Sequence, residues 1–595
     1  MSNPDWTEVL PTPPDGGSLF EAWFTTFDQP DAGLLVEHLL PSLLGVSHSL
    51  SHELEERTLF FGELGTALER LHGRLTIISS PPRAAREASQ YPWLWRYVSH
   101  FAVGAESPAT QHAKLWAFHW TIGDKEHLDL YVSSTNLTAS AFKKQLQAGW
   151  KGSLCLGDRV TKKTKQSWGE LVPFLEALGA SAGAHAKERI DRLTQLLARA
   201  ECPEGIMFVA SIPGSEKRGT QVIKRLAPSA IHIFTPTVGD WTKDTLTAWS
   251  KDVGVATDEI HLKWLDANHP WRVGWTLTEK AGKALLDAGA QLNRMALDHR
   301  FHDDQVDGDE RWSHAKLYLL RIAGKKKRQL LVTSANWSPA AWGAGRAAPP
   351  GNFELGVLFE TDWKKLEEID DVLSAPFCTG REHTGDGRLQ WAEATWDGER
   401  IELRARSSDS STPVKATVHF SSGGEEGVPL AIGKAELLWK AADDTPLAAQ
   451  FAQGTETLEV NVVDLRPTAE FSKTPLPGVS PDKERALREA FLLQRYGDLA
   501  VDVESIFGRD GVRSPAGGSA PAADYSVRAW RDARAAFRVI DSWLSAFEKA
   551  EPSTIERVRL RRDGEDLRAL YARRERPDAD LAAEELGWRL EEERA

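Results

Sequence analysis

The residues most able to do chemistry are two copies of His-Ala-Lys, His112–Lys114 and His314–Lys316. Each copy has a matching sequel. The first continues LWAFHWTIGDKEHLDLYVSSTN to Asn136, the second LYLLRIAGKKKRQLLVTSAN to Asn336. A single His-x-Lys recurs by chance in a chain with 17 histidines, so one copy carries no weight. Repetition in the same order, with closely similar His-to-Asn spacing, does. Residues i and i+2 of a strand share a face, so each His and Lys is expected on one side of an extended segment. The Asn that ends the next strand can then converge on them. Such a set suits displacement at phosphorus. A neutral imidazole can attack, dividing a hard step into two easier ones. Two lysines and two asparagines supply N–H donors where transition-state charge gathers, and the second imidazole can move protons to and from oxygen. No metal-ligand set is visible, and with two cations supplied by the chain neither metal nor other cofactor is required.

The elements that must position these groups alternate strands with helices. LFEAWFTTFDQPDAGLLVEHLLPSLLGV reads as a strand and an amphipathic helix, and RLTIISS as a strand. The first His/Lys/Asn unit spans about 111–156, and one helix is expected from Gln166 to Ala200. IMFVASIP begins a second series with a buried strand, followed by a helix carrying Lys217, Arg218, Lys224 and Arg225. AIHIFTP and QLNRMALD read as strands, LTEKAGKALLDAGA as a helix, and the second unit spans about 311–360. This is an α/β pattern. From about Arg388 short alternating strands between Gly, Ser and Asp turns predict a small antiparallel β domain. A Pro-rich linker and a densely charged helical tail follow. The tail is either a solvated, salt-bridged face or a surface for a protein partner or self-association.

Composition bounds the function. At 595 residues, 41% hydrophobic and 27% charged, the chain has the make-up of a multidomain globular protein. No apolar run approaches membrane-spanning length, and the N-terminus lacks the pattern of a signal peptide. Three scattered cysteines suggest neither disulfides nor zinc, so a cytoplasmic protein without a membrane partner is expected. The formal charge of −14 confines any nucleic-acid contact to a local groove. Candidates for its basic lining are Lys143 and Lys144, Lys217–Arg225, and the run Lys325, Lys326, Lys327 and Arg328 at a predicted hairpin tip. Trp337 offers either a packing body or a stacking face, and His299 and His302 sit where a strand end could form a cleft rim. His119 reads as a structural or surface residue.

The second unit, HAKLYLL…TSANWSPAAWG…NFELGVLF, resembles the phospholipase D superfamily, and within it the tyrosyl-DNA phosphodiesterase branch. The superfamily's usual Asp, five residues past the Lys, is replaced here by His119 and Arg321, a loss that marks this branch. The branch also carries a Gln after the first Asn and a Glu after the second, positions matched by Gln147 and Glu354. The resemblance implies an α/β fold of two similar lobes sharing one active site, residues 1–195 and 196–380. The β domain with its linker (381–478) and the helical region (479–595) lie outside it. It further implies that His112 is the nucleophile and His314 the general acid/base, with Gln147 and Glu354 orienting the two imidazoles through their second ring nitrogens. The expected activity is a metal-independent phosphodiesterase or nuclease on nucleic acid, DNA ahead of RNA, with DNA processing or defence against foreign DNA as its setting. A lipid or small-molecule phosphodiesterase and a catalytically silent scaffold are the alternatives. Because Lys114 and Lys316 supply the positive charge, activity should survive EDTA. Lys→Ala at either position should cost on the order of 10²–10³ in rate. Loss of activity in EDTA with recovery in Mg²⁺ would contradict this reading.

Overall fold

The computed structural model describes residues 10–48, 54–81, 91–215, 219–296, 312–379 and 389–466, apart from a few positions within these ranges. Toward the C-terminus it describes 533–550, 555–572 and isolated residues. His299 and His302, Lys217 and Arg218, and the 467–482 linker lie outside the described residues. The fold is mixed α/β with several sheets.

The first half contributes β1 (Gly17–Thr25), β2 (Leu75–Ser79), β3 (Val98–Ala102), β4 (Thr110–Gln111), β5 (Leu115–Ile122), β6 (Lys125–Ser133), β7 (Gln145–Leu146) and β8 (Gly149–Cys155). Six of these form a sheet in the order β3-β2-β1-β5-β6-β8, parallel from β3 to β1 and antiparallel beyond. The second half contributes β9 (Met207–Ser211), β10 (Pro228–Phe234), β11 (Ile260–Leu265), β12 (Gln291–Met295), β13 (Trp312–Ser313), β14 (Leu317–Ile322), β15 (Arg328–Thr333) and β16 (Asn352–Thr361). Its sheet runs β12-β11-β10-β14-β15-β16 with the same directions, and β9 joins antiparallel to β16. The two sheets thus repeat one strand order.

Side-chain alternation shows how the sheets are layered. On β5, Leu115 and Ala117 enter a core shared with Leu128, Leu130 and Val132 of β6, Phe208 of β9 and Phe353, Leu355 and Val357 of β16. Trp116, Phe118 and Trp120 face the other way, into a core with Leu35, Leu39, Leu64 and Leu68 of the 32–70 helices. Both faces of β5 are covered, which explains an apolar run without polar alternation. The first helical turn after β1 is capped by Asp31, whose Oδ1 accepts from the backbone N–H groups of Gly33 and Leu34. In place of one helix from Gln166 to Ala200 there are three, Lys162–Ser167, Leu171–Ala182 and Ala184–Leu197. The last break falls at Gly183, whose φ of 103° no helix interior accommodates.

The β-rich region forms one seven-stranded sheet from β17 (Leu389–Trp396), β18 (Arg400–Ser407), β19 (Lys415–Phe420), β20 (Glu425–Pro429), β21 (Lys434–Leu438), β22 (Pro446–Gln453) and β23 (Glu456–Asp464). It is antiparallel except for the β17–β23 pair. It docks on the first half at β3, where Trp391 Nε1 donates to the Ala102 carbonyl at 2.9 Å and Arg406 Nε to that of Gly104 at 2.8 Å. Helices Ala533–Lys549 and Ile555–Ala572 pack through Trp543, Leu560 and Leu567. Arg562 comes within 3.9 Å of Glu69 on the first half. No described helix is long and apolar enough to cross a membrane.

Gly356 shows how closely the second sheet is packed beside the residues of interest. It lies opposite Thr333 between β15 and β9, and a Cβ there would come within 2.6 Å of Thr333 Cβ and 2.7 Å of Leu331 Cδ1. Thr333 cannot turn aside without cost, because its hydroxyl donates to the Leu355 carbonyl and accepts from Ala335 N–H. Gly356→Ala should therefore destabilise the fold by about 1–3 kcal/mol through overpacking. The measurement is a thermal melt, and an unchanged melting temperature would show that the sheet is looser here than the distances imply.

Candidate active site

The His-Ala-Lys triplets do not lie on strands. Each occupies the break between a two-residue strand and a long one, where the chain leaves one half of the molecule for the other. Before His112, β4 pairs in parallel with Asn352 and Phe353 of β16; after Lys114, β5 joins the first sheet. Before His314, β13 pairs in parallel with Gln145 and Leu146; after Lys316, β14 joins the second sheet. Each histidine is anchored across the halves by its backbone, His112 N–H to the Phe353 carbonyl at 3.0 Å and His314 N–H to that of Leu146 at 2.9 Å.

The residue following each of these anchors is an orienting group. His112 Nδ1 lies 2.8 Å from Glu354 Oε2. A carboxylate accepts only, so the proton sits on Nδ1 and the Nε2 lone pair is left for chemistry. Glu354 is itself held, accepting from Ser334 Oγ at 2.5 Å and from Asn352 Nδ2 at 3.1 Å. His314 Nδ1 faces the Ser134 carbonyl at 3.1 Å and Gln147 Oε1 at 3.3 Å. Gln147 Nε2 donates to Gln145 Oε1 and the Ala141 carbonyl, and Ser134 Oγ donates to Gln147 Oε1 at 2.6 Å. Its oxygen is therefore the atom turned to the imidazole. The pairing is crossed: Glu354 of the second half serves His112, and Gln147 of the first serves His314.

Both lysines are fully buried. Lys114 Nζ donates to the His112 carbonyl at 2.5 Å, and Lys316 Nζ to the His314 carbonyl at 2.8 Å. Lys316 Nζ also lies 2.8 Å from His314 Nε2. Burial pushes the Lys114 ammonium down to about 8, against the opposing pull of Glu354 and Asp28. Lys316 falls well below its ordinary value through burial and the charge of Lys114. Burial also lowers both imidazoles; Glu354 opposes this at His112, while the two lysines add to it at His314. For Glu354 burial works upward, but His112, Lys114 and Ser334 outweigh it and hold the carboxyl below its usual range. Asn136 and Asn336 lie three residues past the ends of β6 and β15. Asn136 Oδ1 accepts from Phe27 N–H at 3.2 Å, and Asn336 Oδ1 lies 3.3 Å from Thr235 Oγ1.

The structure thus brings His112, Lys114, Asn136, Gln147, His314, Lys316 and Glu354 together, with Asn336 two residues beyond the Ser334 that holds Glu354. Among the described residues, it leaves the Lys325–Arg328 run, the Trp337 ring and His119 apart from them. Lys325, Lys326 and Lys327 occupy the β14–β15 turn and Arg328 opens β15, while His314 and Asn336 flank the opposite ends of those strands. Six residues of strand put the turn about 20 Å away. Lys327 pairs with Glu360 at 3.0 Å, and Arg328 with Glu367 at 2.6 Å. Trp337 offers no stacking face: it is fully buried against Trp241 and Trp249, with ring centroids 5.7 Å from each. His119 is buried and meets Glu126 at 3.0 Å, so of the two readings it is structural and not a surface residue. Lys143 and Lys144 are exposed just before the Gln145–Gln147 segment. The sequence reading missed Ser134, Ser334 and Asp28, although the shared Ser-x-Asn ending of both copies was a visible signal for the serines.

Residues 262–416 match the sequence model of the tyrosyl-DNA phosphodiesterase family. No curated protein matches the chain. Among solved structures, the yeast tyrosyl-DNA phosphodiesterase is similar over 60% of this chain and 85% of its own, at 15% identity and a TM-score of 0.40. Polyphosphate kinase from Porphyromonas gingivalis is similar over 61% and 43%, at 10% identity and a TM-score of 0.28. The family match takes in the second His/Lys/Asn unit and continues through β17 and β18, so the β-rich sheet does not lie wholly outside the resemblance. The family match and the paired site together define a phosphodiesterase.

Two buried ammonium groups in one site need an anion. Binding of a phosphate mimic such as tungstate should return protons to the lysines. At pH 8 the calorimetric enthalpy should therefore depend on the ionisation enthalpy of the buffer, with net proton uptake. Affinity should fall as pH rises above about 8, where Lys114 loses its proton in the empty site. A buffer-independent enthalpy would mean that both lysines are already charged before the anion arrives.

Proposed function

We propose that this chain is a nucleic-acid phosphodiesterase, similar in action to tyrosyl-DNA phosphodiesterases, working through a covalent phosphohistidine. The crossed arrangement carries the proposal: two His-Ala-Lys triplets with imidazoles oriented by Glu354 and Gln147 from opposite halves. Residues 1–195 and 196–380 are then two lobes sharing one site, with 381–478 and 479–595 as accessory regions.

In this reading the Nε2 lone pair of His112 attacks phosphorus, and the bond to the leaving oxygen breaks. That oxygen takes a proton from His314. Water then attacks the phosphohistidine, giving its proton to His314, and His112 departs with its original lone pair. Lys114, Lys316, Asn136 and Asn336 donate to the non-bridging oxygens, where preorganised donors act most strongly in the transition state. Glu354 favours His112 as the nucleophile, since a carboxylate beside Nδ1 stabilises the cationic ring formed on phosphorylation. Gln147 is neutral, which leaves His314 free to cycle its proton. The bound diester's negative charge opposes the depression of the His314 and Lys316 proton affinities.

DNA is the favoured substrate because the family match is to DNA-processing enzymes by description. With the Lys325–Arg328 turn remote from the site, the exposed Lys143 and Lys144, next in sequence to Gln145–Gln147, are candidates to meet a strand. Assay of end-labelled single strands, duplexes, 3′-tyrosyl oligonucleotides and p-nitrophenyl phosphodiesters would test this. His112→Ala should give no covalent adduct. His314→Ala should slow both steps and accumulate an acid-labile adduct where the leaving group departs unaided. An adduct on His314 would reverse the roles, and activity confined to small diesters or lipids would replace the nucleic-acid reading.

A further inference from the structure

Past the end of β1 the chain carries Phe27 and Asp28 to the edge of the site. The Phe27 ring meets the His112 ring edge-on at 5.1 Å. Asp28 Oδ2 accepts from Asn136 Nδ2 at 2.7 Å. Building on the phosphodiesterase reading above, we propose that Asp28 is a positioning residue for the reaction. It fixes the Asn136 amide so that its remaining N–H faces the substrate, and it supplies the second negative charge that two buried ammonium groups require.

The amide argument is geometric. Asn136 Oδ1 accepts from Phe27 N–H, and one of its two Nδ2 hydrogens goes to Asp28, which leaves a single N–H. Turning the amide over would set Nδ2 against an N–H and Oδ1 against a carboxylate, losing both bonds. The second half lacks this device. Phe24 lies opposite Trp116 and Ile233 opposite Tyr318, so Asp28 corresponds in register to Thr237. Asn336 meets the hydroxyl of Thr235 instead.

The charge argument counts the groups around the lysines. Lys114, Lys316, His112 and His314 disfavour one another's protonation, and burial disfavours all four. Among the described residues, Glu354 and Asp28 act to keep Lys114 and Lys316 protonated. Glu354 is already engaged by His112, Ser334 and Asn352. Removing the Asp28 charge therefore lowers both lysines further, and their protons leave at lower pH.

The test compares the full chain with Asp28→Asn and Asp28→Glu. On a p-nitrophenyl phosphodiester, D28N should lose on the order of tenfold in kcat/KM at pH 8. The alkaline limb of its pH profile should move toward acid by about 1 unit, the low end for an opposite charge nearby; D28E should move it back. A reduced kcat with an unmoved limb would reduce Asp28 to a structural role and overturn the proposal. The tungstate titration needs no turnover: in D28N the pH at which affinity falls should shift the same way, and an unchanged curve overturns the proposal independently. Wild-type protein without hydrolysis, or a fully active His112→Ala variant, would instead sink the phosphodiesterase reading.

Discussion

Lys114 and Lys316 place two ammonium groups in one buried site, and much of the surrounding structure answers to that constraint. Isolated charges removed from water cost several kcal/mol each even after relaxation. Here each lysine is tied to the carbonyl of the histidine two residues earlier, and the nearby negative charge comes from Glu354 and Asp28. Burial outweighs that compensation, so both lysines hold their protons less tightly than usual. A buried site left short of negative charge suits a phosphate oxyanion. Donors already pointed at that charge need no reorganisation when it develops.

Such a site cannot be closed by either half alone. His112 takes its orientation from a residue 242 positions further on, and His314 from one 167 positions earlier. The dipeptide strands β4 and β13 set this exchange, each pairing with the segment that precedes the other half's orienting residue. The Ser-x-Asn endings lock it, since Ser134 and Ser334 each donate to an orienting side chain and accept from the N–H that follows it. The core between the sheets draws on β5, β6, β9 and β16 together. The packing that stabilises the fold is therefore also what holds the imidazoles in place.

The duplication is close in backbone and unequal in charge. Glu354 faces one histidine and the neutral Gln147 the other; Asp28 binds one asparagine while a threonine hydroxyl meets its counterpart. Both carboxylates thus lie toward His112. A covalent intermediate needs one ring that tolerates positive charge and another that exchanges protons, and this polarity suits that division.

By itself the sequence determined the His-Ala-Lys and Asn sets, the alternation of strands and helices around them, and the β-rich texture after residue 388. These are legible because they are local: a repeated short motif and apolar patterning survive in one dimension. Gln147 and Glu354 were reachable only through resemblance, and nothing local says which imidazole each one serves. Tertiary structure decided that, because the hydrogen bonds cross between halves. It also decided the rest. Trp337 adjoins Asn336 in sequence, yet its neighbours Trp241 and Trp249 come from elsewhere and bury it. Lys325–Arg328 form the densest basic run, but a hairpin turn lies a strand's length from residues at the strands' open end. Asp28 left no trace in the sequence because the amide it holds is 108 residues away, and a hydrogen bond between distant segments has no signature until the chain has folded.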